Sequence, residues 1–175
     1  FFFHPQPANR DSSTSRGLGD VYKRQLLELG QPLHAFDRDK LKGNISVRPA
    51  KNKEALTLLD DQEVSLDRDC LVIADSKKAV AFAGIMGGKS SAVTNTTSSI
   101  FLESAFFNPS AIRGRARRFG FQTDASLRFE RGVDYAIQKL ALDRASSLLD
   151  QTVGGTFSDI VSSSLKNKVF EIVKE

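Results

Sequence analysis

The sequence has almost none of the residues that build disulfides and zinc sites. It contains one cysteine, Cys70, among 175 residues, which excludes an internal disulfide and favours a reducing compartment. Its two histidines, His4 and His34, cannot form a His/Cys zinc site with that single cysteine. We therefore expect a cytoplasmic chain with no metal site of its own.

Long apolar segments are also missing. No hydrophobic run approaches the roughly 20 residues of a membrane span, and "FFFHPQP" lacks the basic segment of a signal peptide. The chain is 40% hydrophobic and 26% charged, which is typical of a soluble globular domain. Its net charge of +4 permits an anionic partner without requiring one, and no membrane partner is expected.

Residues 1–25 differ from the rest of the chain. They are rich in turn-forming residues, and "SSTSRGLGDVYKRQ" resembles translated adapter sequence. Two interpretations are open, a non-native leader or a natural disordered N-terminus. We expect the domain itself at residues 26–157, followed at 158–175 by a linker and the start of another module.

Short strands are predicted before the helices. The predicted strands span residues 45–50, 55–59, 63–66, 70–75, 79–84 and 99–104, with a hairpin joining the second to the third. One helix is predicted from an Asn108 cap to Gly120, with Ile112, Ala116 and Phe119 facing inward. A second is predicted from near Asp134 to Gly154, with an apolar stripe that includes Leu140, Ala141, Ala145, Leu148 and Leu149. This order of elements favours an α+β fold.

The segment "GIMGGKSS" is similar to a phosphate-binding loop but has the wrong spacing. A P-loop needs a glycine where this chain has Ala83, and a helix should follow. The alternative is a tight turn in which Gly84, Gly87 and Gly88 bring the backbone close to a neighbouring group.

Arginines are crowded between residues 113 and 118 with no acid among them, which costs helix stability unless an anion compensates. An RNA backbone would supply that anion, and the candidates for binding it are Arg115, Arg117 and Arg118. The alternative is that Arg113, Arg117 and Arg131 are solvated or paired with Asp124, Glu130 and Asp134.

Glu103 and His34 are isolated polar residues in apolar surroundings. Alternation in "IFLES" places Phe101 and Glu103 on one strand face and Ile100 and Leu102 on the other. Glu103 therefore lies either on a solvent-facing edge or in a pocket, as an acceptor for a ligand hydroxyl. A lone histidine such as His34 is structural or catalytic, and sequence alone does not decide.

Five segments occur together in the order and spacing of one family. They are "LLELGQPLHAFD", "LTLLDDQEVSLDRDCLVIAD", "AFAGIMGG", "IFLESAFFNPSAIRGRARRFG" and "QTDASLRFERGVD". Over about residues 26–157 the chain resembles the editing domain of bacterial-type phenylalanine–tRNA ligase beta subunits. The resemblance implies layered, sandwich-like sheets with helices packed on one side.

The resemblance also implies a function and its residues. The family's enzyme is an alpha2-beta2 tetramer whose alpha subunit uses ATP and Mg²⁺, with no cofactor in the editing segment, and whose beta subunit binds tRNA(Phe). Editing hydrolyses tyrosine wrongly attached to that tRNA. The resemblance assigns His34, Glu103 and Thr123 as catalytic residues, and Gly87, Glu103 and Ala125 as contacts to the tyrosine moiety.

The chain departs from the family in three places. Gln122 and Leu127 stand where members often have histidine, and "DVYKRQ" stands where the family has a segment of the "DVTNYV" type. The last difference removes polar groups that the family uses in its pocket. Two other functions are weighed, a non-catalytic RNA-binding module and a free-standing editing homologue, and "KVFEIVKE", as the start of another module, disfavours the second.

Overall fold

The computed structural model describes residues 2–4 and 14–163. Its elements are β1 (Phe2–His4), α1 (Thr14–Leu29), β2 (Leu33–Asp37), β3 (Ser46–Pro49), β4 (Glu54–Thr57), β5 (Glu63–Leu66), β6 (Leu71–Ala74), β7 (Ala79–Phe82), β8 (Met86–Gly87), β9 (Ile100–Ser104), α2 (Pro109–Ile112), α3 (Arg115–Arg118), α4 (Asp124–Arg131), α5 (Gln138–Thr152) and β10 (Thr156–Phe157). All strand pairs in the described part of the chain are antiparallel. The α+β class predicted from the sequence is confirmed.

The chain divides into two compact units. Unit 1 combines Phe1–Asp39, Val93–Phe106 and Val133–Ile160, and unit 2 combines Lys40–Ala92, Phe107–Gly132 and Val161–Glu175. Unit 1 thus holds β1, α1, β2, β9, α5 and β10, while unit 2 holds β3 to β8 and α2 to α4.

Unit 1 is a four-stranded sheet with two helices on one face. The strand order is β10-β1-β9-β2. Its core is formed by apolar side chains of α1, α5 and the sheet: Leu18, Val21, Ala35, Ile100, Leu102, Leu142, Ala145, Leu148 and Leu149. Ile100 and Leu102 alternate with Phe101 and Glu103, so only one side of β9 faces the helices, as the strand pattern predicts.

Helix α1 lies largely within the segment predicted as a leader. Residues 14–25 form most of α1, and Leu18 and Val21 are buried in the core of unit 1. Glu28 on the same helix accepts hydrogen bonds from Arg144 of α5, at 2.6 and 2.9 Å. Arg144 and Arg24 hold the pKa of Glu28 down to about 2. Residues 5–13 and 164–175 lie outside the described part, and the origin of the leader stays a prediction.

Orphaned polar groups concentrate in the same helix. The hydroxyl of Tyr22 and both amide atoms of Gln25 are buried, and none has a hydrogen-bond partner among the described residues. Buried polar atoms in natural proteins are nearly always paired. The orphaned atoms belong to "VYKRQ", the end of the segment expected to be a leader.

Unit 2 contains the strands that the sequence predicts best. A sheet of order β3-β6-β7-β8 lies with the β4–β5 hairpin, and β7 is buried along its whole length. The hairpin turn lies at the acidic residues, as predicted, and Asp61 within it adopts a left-handed conformation at φ 68°. Strands β1, β2, β8 and β10 are not predicted from the sequence.

The helix predictions need three corrections. The predicted helix from Asn108 to Gly120 is two short helices, because Gly114 adopts a left-handed conformation at φ 75°. The Gly114 N–H donates a hydrogen bond to the Glu130 carboxylate at 3.2 Å instead of continuing the helix. Helix α4 is missed, although Thr123 and Ser126 form a capping box at its start. Helix α5 begins four residues later than expected, at Gln138, and Leu140 is exposed whereas Leu142 is buried.

Helix α1 offers a matched test of its place in the core. Leu18 is 7% exposed and Leu27 is 81% exposed. Leu18→Ala should lower the free energy of unfolding by about 2–4 kcal/mol, because it leaves a cavity. Leu27→Ala should change it by less than about 0.5 kcal/mol. Urea unfolding measures both, and equal effects would contradict the packing of α1.

The orphaned amide of Gln25 gives a second test. Gln25→Leu should raise the free energy of unfolding by about 1–3 kcal/mol, since it removes unpaired buried polar atoms. The control is Gln151→Leu on α5, where the glutamine is exposed and should contribute little. A loss of stability in Gln25→Leu would show that the amide has a partner in solution.

Candidate functional site

The two polar residues predicted for unit 1 lie directly opposite each other. His34 of β2 and Glu103 of β9 are register partners in the antiparallel ladder. Opposed residues place their side chains on the same sheet face, with Cβ atoms roughly 4.5–5.5 Å apart. The neighbouring pair on that face is Phe36 and Phe101, both buried. The register of the ladder therefore places one carboxyl group, one imidazole and two aromatic rings on the sheet face that points away from α1 and α5.

Burial shifts both titrating groups toward their neutral forms. It raises the pKa of Glu103 from 4.5 to about 8 and lowers the pKa of His34 from 6.5 to about 4. The His34 ring packs edge-on against Phe36, with centroids 4.5 Å apart. Among the described residues neither the Glu103 carboxyl nor the His34 imidazole has a hydrogen bond or ion pair. Near neutral pH the pair is a protonated acid beside a neutral imidazole, so it can both donate and accept.

Three candidate residues lie in unit 2, namely Gly87, Thr123 and Ala125, and the Thr123 side chain links the two segments that carry them. The Thr123 hydroxyl donates to the Ile85 carbonyl at 2.9 Å and accepts from the Ser126 N–H at 3.0 Å. This joins the start of α4, with half-buried Ala125, to the segment that contains buried Gly87. Gly87 in turn accepts a backbone hydrogen bond from Leu59 at 3.1 Å. Because the Thr123 hydroxyl caps the helix, its immediate role is to fix the loop and helix together.

Glycines in "GIMGGKSS" serve close packing. A Cβ on Gly88 would lie 2.5 Å from the Val80 carbonyl oxygen, so only glycine fits against β7. Gly84 adopts φ 68° and faces Phe107, Ile112 and Phe129. No α-helix follows the segment, which agrees with the interpretation that it is a tight turn.

The arginines separate into two groups. Arg118 makes a two-pronged contact to Asp69, at 2.7 and 3.1 Å, and Arg115 donates to the Asp69 carbonyl at 3.0 Å. Arg117 instead belongs to a cleft of about 450 Å³ between the helices. The cleft is lined by Arg113, Arg117, Gln122, Leu127, Glu130 and Arg131 and is here called the arginine cleft. Of the three arginines predicted to bind RNA, the structure places only Arg117 in it.

Some residues of these sites are missed by sequence reasoning. Phe36 is missed because "PLHAFD" is not predicted as a strand. On α4, Leu127, Glu130 and Arg131 recur at helical spacing, which would have placed them on one face had the helix been predicted.

The described residues contain no cluster of three or more His, Cys, Asp or Glu side chains that could hold a metal ion. None of their helices has the length and apolarity to cross a membrane.

Comparison with known proteins gives a consistent result. The model of the family described as "B3/4 domain" matches residues 17–154. The phenylalanine–tRNA ligase beta subunit of Idiomarina loihiensis is 62% identical over 136 residues, covering 78% of this chain and 17% of that protein. The beta subunit of Acinetobacter baylyi is 59% identical over 143 residues, covering 82% and 18%. The chain thus spans less than a fifth of the length of these relatives.

A solved structure has the same fold. It is an N-terminal fragment of the phenylalanyl-tRNA synthetase beta subunit from Pyrococcus horikoshii, with a TM-score of 0.57 and 15% identity. The match covers 88% of this chain and 44% of that one.

The shifted pKa of Glu103 predicts a pH dependence of stability. Its folded pKa of about 8 exceeds the ordinary 4.5, so its contribution is fully present below about pH 4.5 and is lost as the pH rises through about 8. Glu103→Gln should abolish this loss, which is on the order of a few kcal/mol. The control is Glu63→Gln, at an exposed position of β5.

Urea unfolding between about pH 5 and about pH 8 measures the effect. His34 contributes the opposite slope, because its stability is lost as the pH falls from about 6.5 through about 4. Parallel curves for the original chain and Glu103→Gln would contradict a raised pKa for the half-buried Glu103.

Proposed function

The chain belongs to the B3/4 domain family, in the form found in phenylalanine–tRNA ligase beta subunits, and we propose that it carries the editing site of such a ligase. The proposed reaction is hydrolysis of tyrosine wrongly esterified to tRNA(Phe). Water attacks the ester carbonyl, the bond to the ribose oxygen breaks, and free tyrosine and intact tRNA leave.

Glu103 is the observation that supports this proposal most directly. A carboxyl held in a strand beside aromatic rings, with no partner among the described residues, costs free energy unless a ligand satisfies it. A phenol is such a ligand, because its O–H can donate to a carboxyl oxygen and its oxygen can accept a hydrogen bond from the protonated carboxyl. Phe36 and Phe101, which are both buried, supply the apolar surroundings that exclude water from this carboxyl.

Selectivity then follows from the cost of an unpaired buried group. A synthetic pocket built for phenylalanine rejects tyrosine weakly, because it has only an added hydroxyl to exclude; the ratio is on the order of a hundredfold. A pocket that must hydrogen-bond the hydroxyl rejects phenylalanine by roughly ten thousandfold or more, since Glu103 would stay unpaired.

The other candidates take supporting roles in this proposal. His34, opposite Glu103, orients the carboxyl or the attacking water as a neutral imidazole. The resemblance assigns Thr123, Ala125 and Gly87 to contacts with the substrate as well, and within unit 2 the hydroxyl cap of α4 fixes the segments that carry them. No protein nucleophile is required, because water is the attacking group.

The remainder of the enzyme is proposed from the relatives. We expect this segment to work in a cytoplasmic alpha2-beta2 ligase that binds tRNA(Phe), with ATP and Mg²⁺ serving the alpha subunit. A non-catalytic RNA-binding module is the second candidate, and the arginine cleft favours it. On that view the arginines control affinity and no ester hydrolysis occurs.

Glu103→Ala in the complete ligase tests the assignment. It should reduce the ratio of kcat/KM for Tyr-tRNA(Phe) over Phe-tRNA(Phe) by roughly a hundredfold or more, since the hydrogen bond that discriminates the substrate hydroxyl is lost. Deacylation of the preformed aminoacyl-tRNAs measures the ratio. Glu63→Ala, at an exposed position, is the control. An unchanged ratio would show that Glu103 does not recognise the tyrosine hydroxyl. If the wild-type ligase deacylates Tyr-tRNA(Phe) no faster than the uncatalysed reaction, the RNA-binding module is favoured.

A further inference from the structure

The arginine cleft has a charge that its own contacts do not neutralise. It combines Arg113, Arg117 and Arg131 with one acid, Glu130. The Glu130 side chain is only 11% exposed, and its two oxygens accept from the Gly114 N–H at 3.2 Å and from Arg117 at 3.4 Å. Since this carboxylate faces inward, the exposed surface of the cleft carries the positive charge of the arginines.

The cleft arginines keep most of their donors available. A guanidinium has five N–H donors. Arg113 uses one on the Glu130 carbonyl at 3.3 Å, and Arg117 uses one on the Glu130 carboxylate. Arg131 makes no hydrogen bond or ion pair with any described residue, and it is exposed. Arg118, by contrast, has its fork occupied by Asp69.

The chemistry of the lining suits a nucleic acid strand. Arginine forks match phosphate oxygens in two-pronged contacts. Gln122 presents an exposed amide beside them, and half-buried Leu127 gives an apolar wall against which a ribose or base can pack.

Helix α4 connects this cleft to the candidate editing residues of unit 2. Thr123 lies at its start, and Arg131 ends it eight residues later. At 1.5 Å per residue this separation is about 12 Å. A stacked strand advances roughly 3.4 Å per nucleotide, so about three to four nucleotides span the same distance.

We propose that the arginine cleft binds backbone phosphates of the tRNA strand about three to four nucleotides from its esterified end. The proposal deepens the editing function above and rests on it for the identity of the strand. It moves the RNA contact from Arg115 and Arg118, which hold Asp69, to Arg113, Arg117 and Arg131.

Arg131→Gln in the complete ligase is the sharpest test, because this side chain has no hydrogen bond or ion pair to lose among the described residues. It should raise KM for Tyr-tRNA(Phe) about tenfold with kcat nearly unchanged. It should also reduce the slope of log KM against log salt concentration by about 0.7, the value for one lost single-strand phosphate contact. Arg68→Gln, an exposed arginine of unit 2 outside the cleft, is the matched control.

Binding of uncharged tRNA(Phe) separates this proposal from the editing function. A weaker, less salt-dependent Kd for Arg131→Gln supports the cleft even if the wild type hydrolyses no ester, in which case editing alone fails. If hydrolysis occurs but Arg131→Gln and Arg68→Gln share one KM and one salt slope, the cleft proposal is overturned. A fall in kcat with a lowered unfolding midpoint and an unchanged salt slope also overturns it.

Discussion

Antiparallel pairing of β2 with β9 is the constraint on which the candidate site of unit 1 depends. A single register places Ala35 against Leu102 on the core face and His34 against Glu103 on the other. A slip by one residue would expose the first pair and bury the second against α1 and α5. The packing of the helices against the opposite face therefore holds the acid and the imidazole opposite each other, although the two residues lie 69 positions apart in sequence.

In unit 2 the corresponding role falls to the cap of α4. The Thr123 hydroxyl fixes the helix start to the segment around Gly87, and the Glu130 carboxylate near the other end holds the left-handed turn at Gly114. That turn divides the predicted helix into α2 and α3 and so sets the direction of the arginines. One short helix thus organises both the proposed substrate contacts of unit 2 and the arginine cleft.

Crowded arginines are an ambiguous feature until their partners are known. Asp69, more than 40 residues earlier in the chain, pairs with both Arg115 and Arg118. The carboxylate of Glu130 engages Arg117 but lies mostly buried, which leaves positive charge at the surface of the cleft. Pairing with an acid therefore holds for Arg115, Arg117 and Arg118, while binding of an anion is the proposal for the cleft.

By itself the sequence determined the α+β class, the apolar strands of unit 2 and the alternation of "IFLES". These follow from local periodicity, which acts over a few residues. Its motifs also selected His34, Gly87, Glu103, Thr123 and Ala125. Only the tertiary structure decided that His34 opposes Glu103 and that Leu18 and Val21 of the supposed leader belong to a core. Burial shifts the pKa values of His34 and Glu103 for the same reason, because the neighbours that exclude water come from distant parts of the chain.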